Sequence, residues 1–143
     1  MTIARILAGR TIDSYVTAIA SQSVREAIGL LAKHRIGALP VMDGDRCLGV
    51  FSERDVIYCL AREGTAALDR PVSDLMSGTP ITVTPDTDVI EALSVITRRR
   101  VRHLPVLDGE AFVGFISIGD LVKARIDAVE KEAQAMLSYI QTA

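Results

Sequence analysis

Apolar residues recur along the chain in helical or alternating sets separated by Gly, Pro and Asp, and each kind of set comes twice. After Ser23, the residues Val24, Ala27, Ile28 and Leu31 fall at helical spacing; after Asp88, so do Val89, Ala92, Leu93 and Ile96. Each run opens on a capping-box pattern, Ser23 with Glu26 and Asp88 with Glu91. Each closes on basic residues, Lys33–Arg35 and Arg98–Arg100, where the helix dipole favours cations. Two short apolar runs follow, joined at Asp43-Gly44 and again at Asp108-Gly109, residues suited to a tight hairpin turn. They predict strands over Ala38–Met42 and Arg46–Phe51, and over His103–Leu107 and Ala111–Ile116. A short strand precedes each helix, near Val16–Ile19 and near Ile81–Val83, and a second helix closes each set. Pro40 and Pro105 inside the strand pattern push those strands toward a sheet edge or an exposed end.

The two sets are one repeat. Residues 16–61 fall on 81–126 without a gap, with identities such as Leu39/Leu104, Pro40/Pro105, Gly49/Gly114, Ser52/Ser117 and Asp55/Asp120. Two copies are too few for a solenoid; a pseudo-twofold pair packed face to face fits better. The expected fold is α/β (α+β): two β-α-β-β-α repeats packed through their sheets, with an extended C-terminal helix. Residues 1–62 form the first repeat with its lead-in, 63–71 a linker, 72–127 the second repeat and 128–143 the helical extension. Residues 2–9 and Val72–Met76 read as equivalent lead-ins to copies one and two.

In the last helix Val122, Ile126, Val129, Ala133, Met136 and Ile140 repeat every three and four residues, a heptad seam. The seam suits either packing on its own module or contact with a second subunit.

Composition narrows the function. The chain has 143 residues, 49% hydrophobic and 24% charged, with a net charge of −2. Near-neutral charge argues against a clamp that neutralises nucleic-acid phosphates, and three Phe, three Tyr and no Trp argue against a base-stacking platform. No run is long and apolar enough to span a bilayer. The stretch from Met1 to Arg10 lacks the apolar core of a signal peptide. Cys47 and Cys59 do not form a C-x-x-C pair, and the only histidines are His34 and His103. No metal cluster, dithiol pair or catalytic triad is predicted, and a reduced, cytoplasmic protein is the expectation.

The remaining chemistry lies where strands end and helices begin. Ser52-Glu53-Arg54-Asp55 and Ser117-Ile118-Gly119-Asp120 each place Ser at an N-cap with Asp three residues on. That is a capping device worth about 1 kcal/mol. The same geometry offers free helix amides to an anion, a carboxylate to a ribose diol, and a hydroxyl to phosphate or sugar. A basic residue must then offset the phosphate. Copy two supplies Arg102 and His103; copy one has Gly37 and Ala38 at those places, and Arg54 is its candidate substitute. The copy-two site is therefore expected to hold phosphate more tightly. Arg98 and Arg99 read as a solvated helix end.

The double pattern Leu-Pro-Val-x-Asp-Gly, then Gly-x-x-Ser-x-x-Asp, resembles a pair of CBS (cystathionine β-synthase) domains over about residues 8–127. Ser52–Val56 and Ile116–Lys123 look like the small bacterial stand-alone CBS-pair proteins, and are similar to CBS pairs of IMP dehydrogenases and of the γ subunit of AMP-activated kinase. The resemblance implies two clefts between the copies for adenosyl ligands: AMP, ADP or ATP, sometimes NAD(H) or S-adenosylmethionine. It implies that Asp55 and Asp120 hold ribose, with Ser52 and Ser117 on ribose or phosphate. The first strand of the opposite copy would line the base, giving Ile81 and Thr82 to the Asp55 site and Val16 and Thr17 to the Asp120 site. Gly119 removes one side-chain contact. The expected function is a non-catalytic adenine-nucleotide sensor, a homodimer acting on an unknown target protein, with no nucleic acid or membrane partner. A different reading is an interaction module with vestigial clefts. An enzyme fits least, since no paired carboxylates, Gly-rich phosphate loop or metal cluster appears.

Overall fold

The structure is a computed structural model describing residues 1–77 and 80–142. Its elements run α1 (Ile3–Leu7), β1 (Ala18–Ile19), α2 (Val24–His34), β2 (Ala38–Asp43), β3 (Arg46–Ser52), α3 (Glu53–Glu63), α4 (Val72–Leu75), α5 (Val89–Arg99), β4 (His103–Asp108), β5 (Ala111–Ser117) and α6 (Ile118–Thr142). One sheet has the order β1-β2-β3, with β1 parallel and β3 antiparallel to β2; the other is the β4-β5 hairpin, and β3 packs against β5. The helix, hairpin and second helix of the expected repeat are therefore present twice. The final residue of the expected extension, Ala143, lies outside the described residues.

The hairpins form as their turn residues require. Asp43 pairs with Arg46 across Gly44, whose φ of 59° lies in the left-handed region open to glycine. Beyond the turn, alternation of β3 and β5 sends Cys47, Gly49 and Phe51, and Phe112, Gly114 and Ile116, inward. Helix α2 is capped by Ser23 Oγ accepting the Glu26 amide, and α5 by Asp88 accepting the Ile90 amide. The Glu26 side chain instead accepts from Gln22 Nε2, so the expected box is half made.

Three expectations are corrected. In copy one the proline-bearing strand β2 lies in the middle of its sheet, whereas in copy two β4 is an edge of its two-stranded sheet, as expected; Pro40 and Pro105 are both fully buried. The cost falls on the first strands. In the parallel register Ala18↔Val41, extending the ladder back to Val16 would need an N–H that Pro40 lacks, so β1 begins at Ala18. In copy two the strand expected at Ile81–Val83 shrinks to one parallel bridge between Val83 and Val106. Third, the lead-ins change places. Ile3 and Ala4 donate their amides to Thr87 and Pro85, and Ile3 is buried in the core of copy two. Val72 and Ser73 donate to Gln22 and Ala20, and Val72 is buried in the core of copy one. Each lead-in thus completes the other copy.

Residues Gly64–Asp69, expected as plain linker, form a 3₁₀ turn that buries Ala67 against the first core. The Arg70 guanidinium pairs with Glu63 and Asp74 beside it.

Candidate functional site

Both Ser-Asp pairs are capping boxes. The Ser52 amide donates to Asp55 Oδ2 at 2.8 Å, and the Asp55 amide returns to Ser52 Oγ at 3.4 Å. The Ser117 amide donates to Asp120 Oδ2 at 3.0 Å, and the Asp120 amide to Ser117 Oγ at 3.1 Å. Local sequence fixes these contacts, because Ser caps the helix that follows each inner strand.

The second oxygens are met by the exchanged lead-ins, and here the copies diverge. Just after α4, the Ser77 hydroxyl donates to Asp55 Oδ1 at 2.8 Å. Just after α1, Gly9 turns the chain with φ 84°, and Arg10 places Nη2 at 2.9 Å from Asp120 Oδ1 and Nη1 at 3.4 Å from Oδ2. Burial pushes the Asp120 carboxyl up, but Arg10 and the Ser117 donors outweigh it and hold it below the usual carboxylate range. The same contact raises Arg10 against burial. Tyr15 brings its buried hydroxyl close to Arg10 yet meets no hydrogen-bond partner among the described residues.

A cavity of about 460 Å³ lies on the Asp55 side. Gly37, Ala38, Ser52, Arg54 and Ile81, all expected there, line it, together with Glu53, Ser77 and the apolar Val50, Ile57, Tyr58, Pro80 and Val101. Arg102 and His103 also line this cavity, although the sequence assigned them to the Asp120 side. Their strand starts beside Ser117: His103 pairs with Ser117, and the Ile118 amide donates to the Arg102 carbonyl at 2.8 Å. Both residues thus belong to copy two by their backbone pairing and border a cavity shared with copy one. Arg100 joins them in a left-handed conformation, φ 54°, and its carbonyl accepts Arg54 Nη1 across the copies at 3.3 Å.

The His103 ring stacks on Phe115, with centroids 5.4 Å apart and planes 14° apart. Burial pushes its pKa down; Asp120 and Glu53 act upward and Arg102 downward. The cavity thus combines a cationic rim (Arg54, Arg100, Arg102), a mostly uncharged imidazole, hydroxyls at Ser52 and Ser77 and an apolar wall. Such a set suits a small ligand with a flat apolar part and an anionic end.

Other expected residues sit elsewhere. Asp55 is half-buried behind Ser52 and Ser77, and Thr82 is exposed; neither borders the cavity. Val16 packs on the first core. Asp120 borders a different, wide groove between α1 and α6, with Arg5, Arg10, Lys123 and Asp127 but without Val16 or Thr17. Copy two is closely packed over Gly114: a Cβ there would lie 2.8 Å from both Leu7 methyls and 3.2 Å from the Tyr15 hydroxyl.

Arg10, Ser77, Ile57 and Tyr58 were not singled out from sequence. Ile57 and Tyr58 left a signal, as exposed apolar residues on the helix that starts at Ser52. Cys47 and Cys59 are buried thiols whose pKa burial pushes up, the opposite of an activated nucleophile. Among the described residues no helix is long and apolar enough to cross a membrane, and no His, Cys, Asp and Glu cluster could hold a metal ion.

The family profile of the CBS domain matches residues 10–62 and 72–127. The CBS domain-containing protein CBSX3, mitochondrial, of Arabidopsis thaliana is 32% identical over 93% of this chain and 68% of its own length. The crystal structure of a CBS-domain-containing protein from Agrobacterium tumefaciens superposes with a TM-score of 0.80 and 34% identity, over 87% of this chain and 99% of that one. The crystal structure of CBSX2 in complex with AMP gives a TM-score of 0.76 and 25% identity, over 89% and 97%.

Proposed function

The chain belongs to the CBS-domain family, and from that premise we propose that it is a non-catalytic regulatory module taking an adenosine-type ligand, an adenine nucleotide such as AMP or ATP, in the cavity lined by Ser52, Ile81 and Arg102. The observation that carries this reading is the meeting of three arginines from both copies with an apolar wall and two hydroxyls in one space. Its volume of about 460 Å³ falls within the range of small-molecule sites, roughly 300–1,000 Å³. The AMP complex of CBSX2 supports the ligand class.

Arg100 and Arg102 face the phosphate; Ile57, Ile81 and Val101 supply apolar surface for the base. The ribose turns to Ser52 and Ser77, and reaches Asp55 if the Ser77 hydroxyl rotates away. One hydroxyl rotation is a smaller demand than breaking the two-contact ion pair on Asp120. The Asp55 side is therefore the first to fill. The ligand touches both copies, so its differential affinity for their relative arrangements, typically about 1–3 kcal/mol, is the signal passed to a target. The free buried thiols accord with a reducing, cytoplasmic setting.

The test is the mass of any ligand that co-purifies, followed by calorimetry of nucleotide-free protein with AMP, ATP, NADH and S-adenosylmethionine. Saturable heat with one adenosyl ligand per chain is expected. No heat with any of the four overturns the reading and favours an interaction module with unused clefts.

A further inference from the structure

The cavity beside Ser52 carries one group that repels a phosphate. Glu53, the first residue of α3, lines it together with Arg54, Arg100, Arg102 and His103. The Glu53 amide donates to the Gly37 carbonyl at 2.9 Å. Its carboxylate lies over the same glycine: a Cβ on Gly37 would be 3.7 Å from Glu53 Oε1 and 3.8 Å from Oε2. The neighbouring Arg54 turns its guanidinium to the Arg100 carbonyl instead, at 3.3 Å. Glu53 also acts on the His103 ring, which copy two contributes to the same space. The two copies differ here. Gly37 stands where copy two has Arg102, and Glu53 where copy two has Ile118. The anionic end of a ligand therefore meets a guanidinium from copy two and, at the matching place in copy one, a bare backbone under a carboxylate.

The charges around the cavity set a limit on the ligand. Three guanidiniums and one carboxylate border it, and burial keeps His103 mostly uncharged. Asp55 stays behind the Ser52 and Ser77 hydroxyls, which both donate to it. The surplus is two positive charges. One phosphate monoester carries about 1.5 to 2 negative charges at neutral pH, which that surplus answers. Each further phosphate brings charge that nothing else lining the cavity answers. We propose that Glu53 sets the phosphate count of the ligand: it leaves the cavity matched to a nucleoside monophosphate and disfavours the triphosphate by like-charge repulsion. Glu53 is exposed to water, and a ligand filling the cavity covers it, which strengthens the repulsion. This selectivity rests on an adenosine-type ligand occupying the cavity.

Calorimetric titration of the full chain with AMP and with ATP tests it, in EDTA so that ATP stays free of metal and keeps its full charge. AMP is expected to bind about tenfold more tightly than ATP. Glu53→Gln keeps the shape and removes the charge, and shrinks the preference to about twofold or less. Glu53→Asp keeps the charge and retains most of the preference. The cap on α3 is made by Ser52 and Asp55, so both variants fold, as circular dichroism reports. ATP binding as tightly as AMP to the native chain, an unchanged preference in Glu53→Gln, or a preference lost equally in Glu53→Asp overturns the proposal and leaves the ligand reading standing. Heat from neither nucleotide overturns both.

Discussion

Arg10 holds both oxygens of Asp120, at 2.9 and 3.4 Å, across 110 positions of sequence. Neither residue is more than about a third exposed, so the pair is screened less than a surface contact. Replacing Arg10 by Ala is expected to raise the Asp120 titration toward the ordinary carboxylate range, followed by carboxyl carbon NMR. The sign for stability follows. A folded pKa below the unfolded value of about 3.9 contributes stability that is present above that value and lost as pH falls through the folded one. Arg10→Ala should therefore lower stability at pH 7 by about 1 kcal/mol and have little effect near pH 2. A stability loss that persists at pH 2 contradicts this assignment.

The two ends of the repeat pair should respond unequally to mutation. Arg102→Ala removes a charge-assisted contact worth about 1.5–3 kcal/mol, a loss of AMP affinity of tenfold or more by calorimetry. Asp120→Ala should leave affinity within about twofold, since Arg10 already occupies that carboxylate. The sequence ranks the Asp120 site above the Asp55 site, and a larger loss in Asp120→Ala than in Asp55→Ala would restore that ranking.

His103 should make ligand binding and stability depend on pH in opposite senses. Its folded pKa lies below the ordinary value of about 6.5 because of burial. The unfolded chain therefore takes the proton first, so stability is full above that value and declines as pH falls through it. A bound phosphate favours the imidazolium, so AMP affinity should rise from pH 7.5 to 5.5. In His103→Asn both dependences should flatten; an unchanged affinity profile in this variant separates His103 from the site.

Gly114 gives the exchanged lead-in its seat. The Cβ of Gly114→Ala, 2.8 Å from the Leu7 methyls, forces them aside at a cost of about 1 kcal/mol. Faster amide exchange at Ile3 and Ala4, whose hydrogen bonds reach Thr87 and Pro85, is the expected readout. Unchanged exchange would mean that Leu7 relaxes without moving α1.

Much of the fold is written locally. The Asp-Gly turns, the alternation of β3 and β5 and the Ser N-caps each depend on a few neighbouring residues, and the structure has all of them. Contacts set by distant segments were not legible. The lead-ins keep the same apolar spacing, Ile3 and Ile6 against Val72 and Leu75, but lie at a different offset from the body of the repeat. Sliding one copy over the other therefore hides their equivalence, and nothing local says which core each enters. Arg10 reaches Asp120 only through that exchange. The short first strands were legible in principle, since Pro40 and Pro105 each remove one ladder donor. For Pro40 the inferred edge position overlooked that a two-residue partner strand leaves the proline nitrogen beyond its reach; the Pro105 strand does lie at an edge.

The most direct measurement is a crystal structure of the protein grown with AMP. Density for the nucleotide is expected between Ser52, Ile81 and Arg102, with its phosphate toward Arg100 and Arg102 and with Arg10 still paired to Asp120. Nucleotide bound against Asp120 with Arg10 displaced, or a cavity filled by the chain's own side chains, would contradict the account.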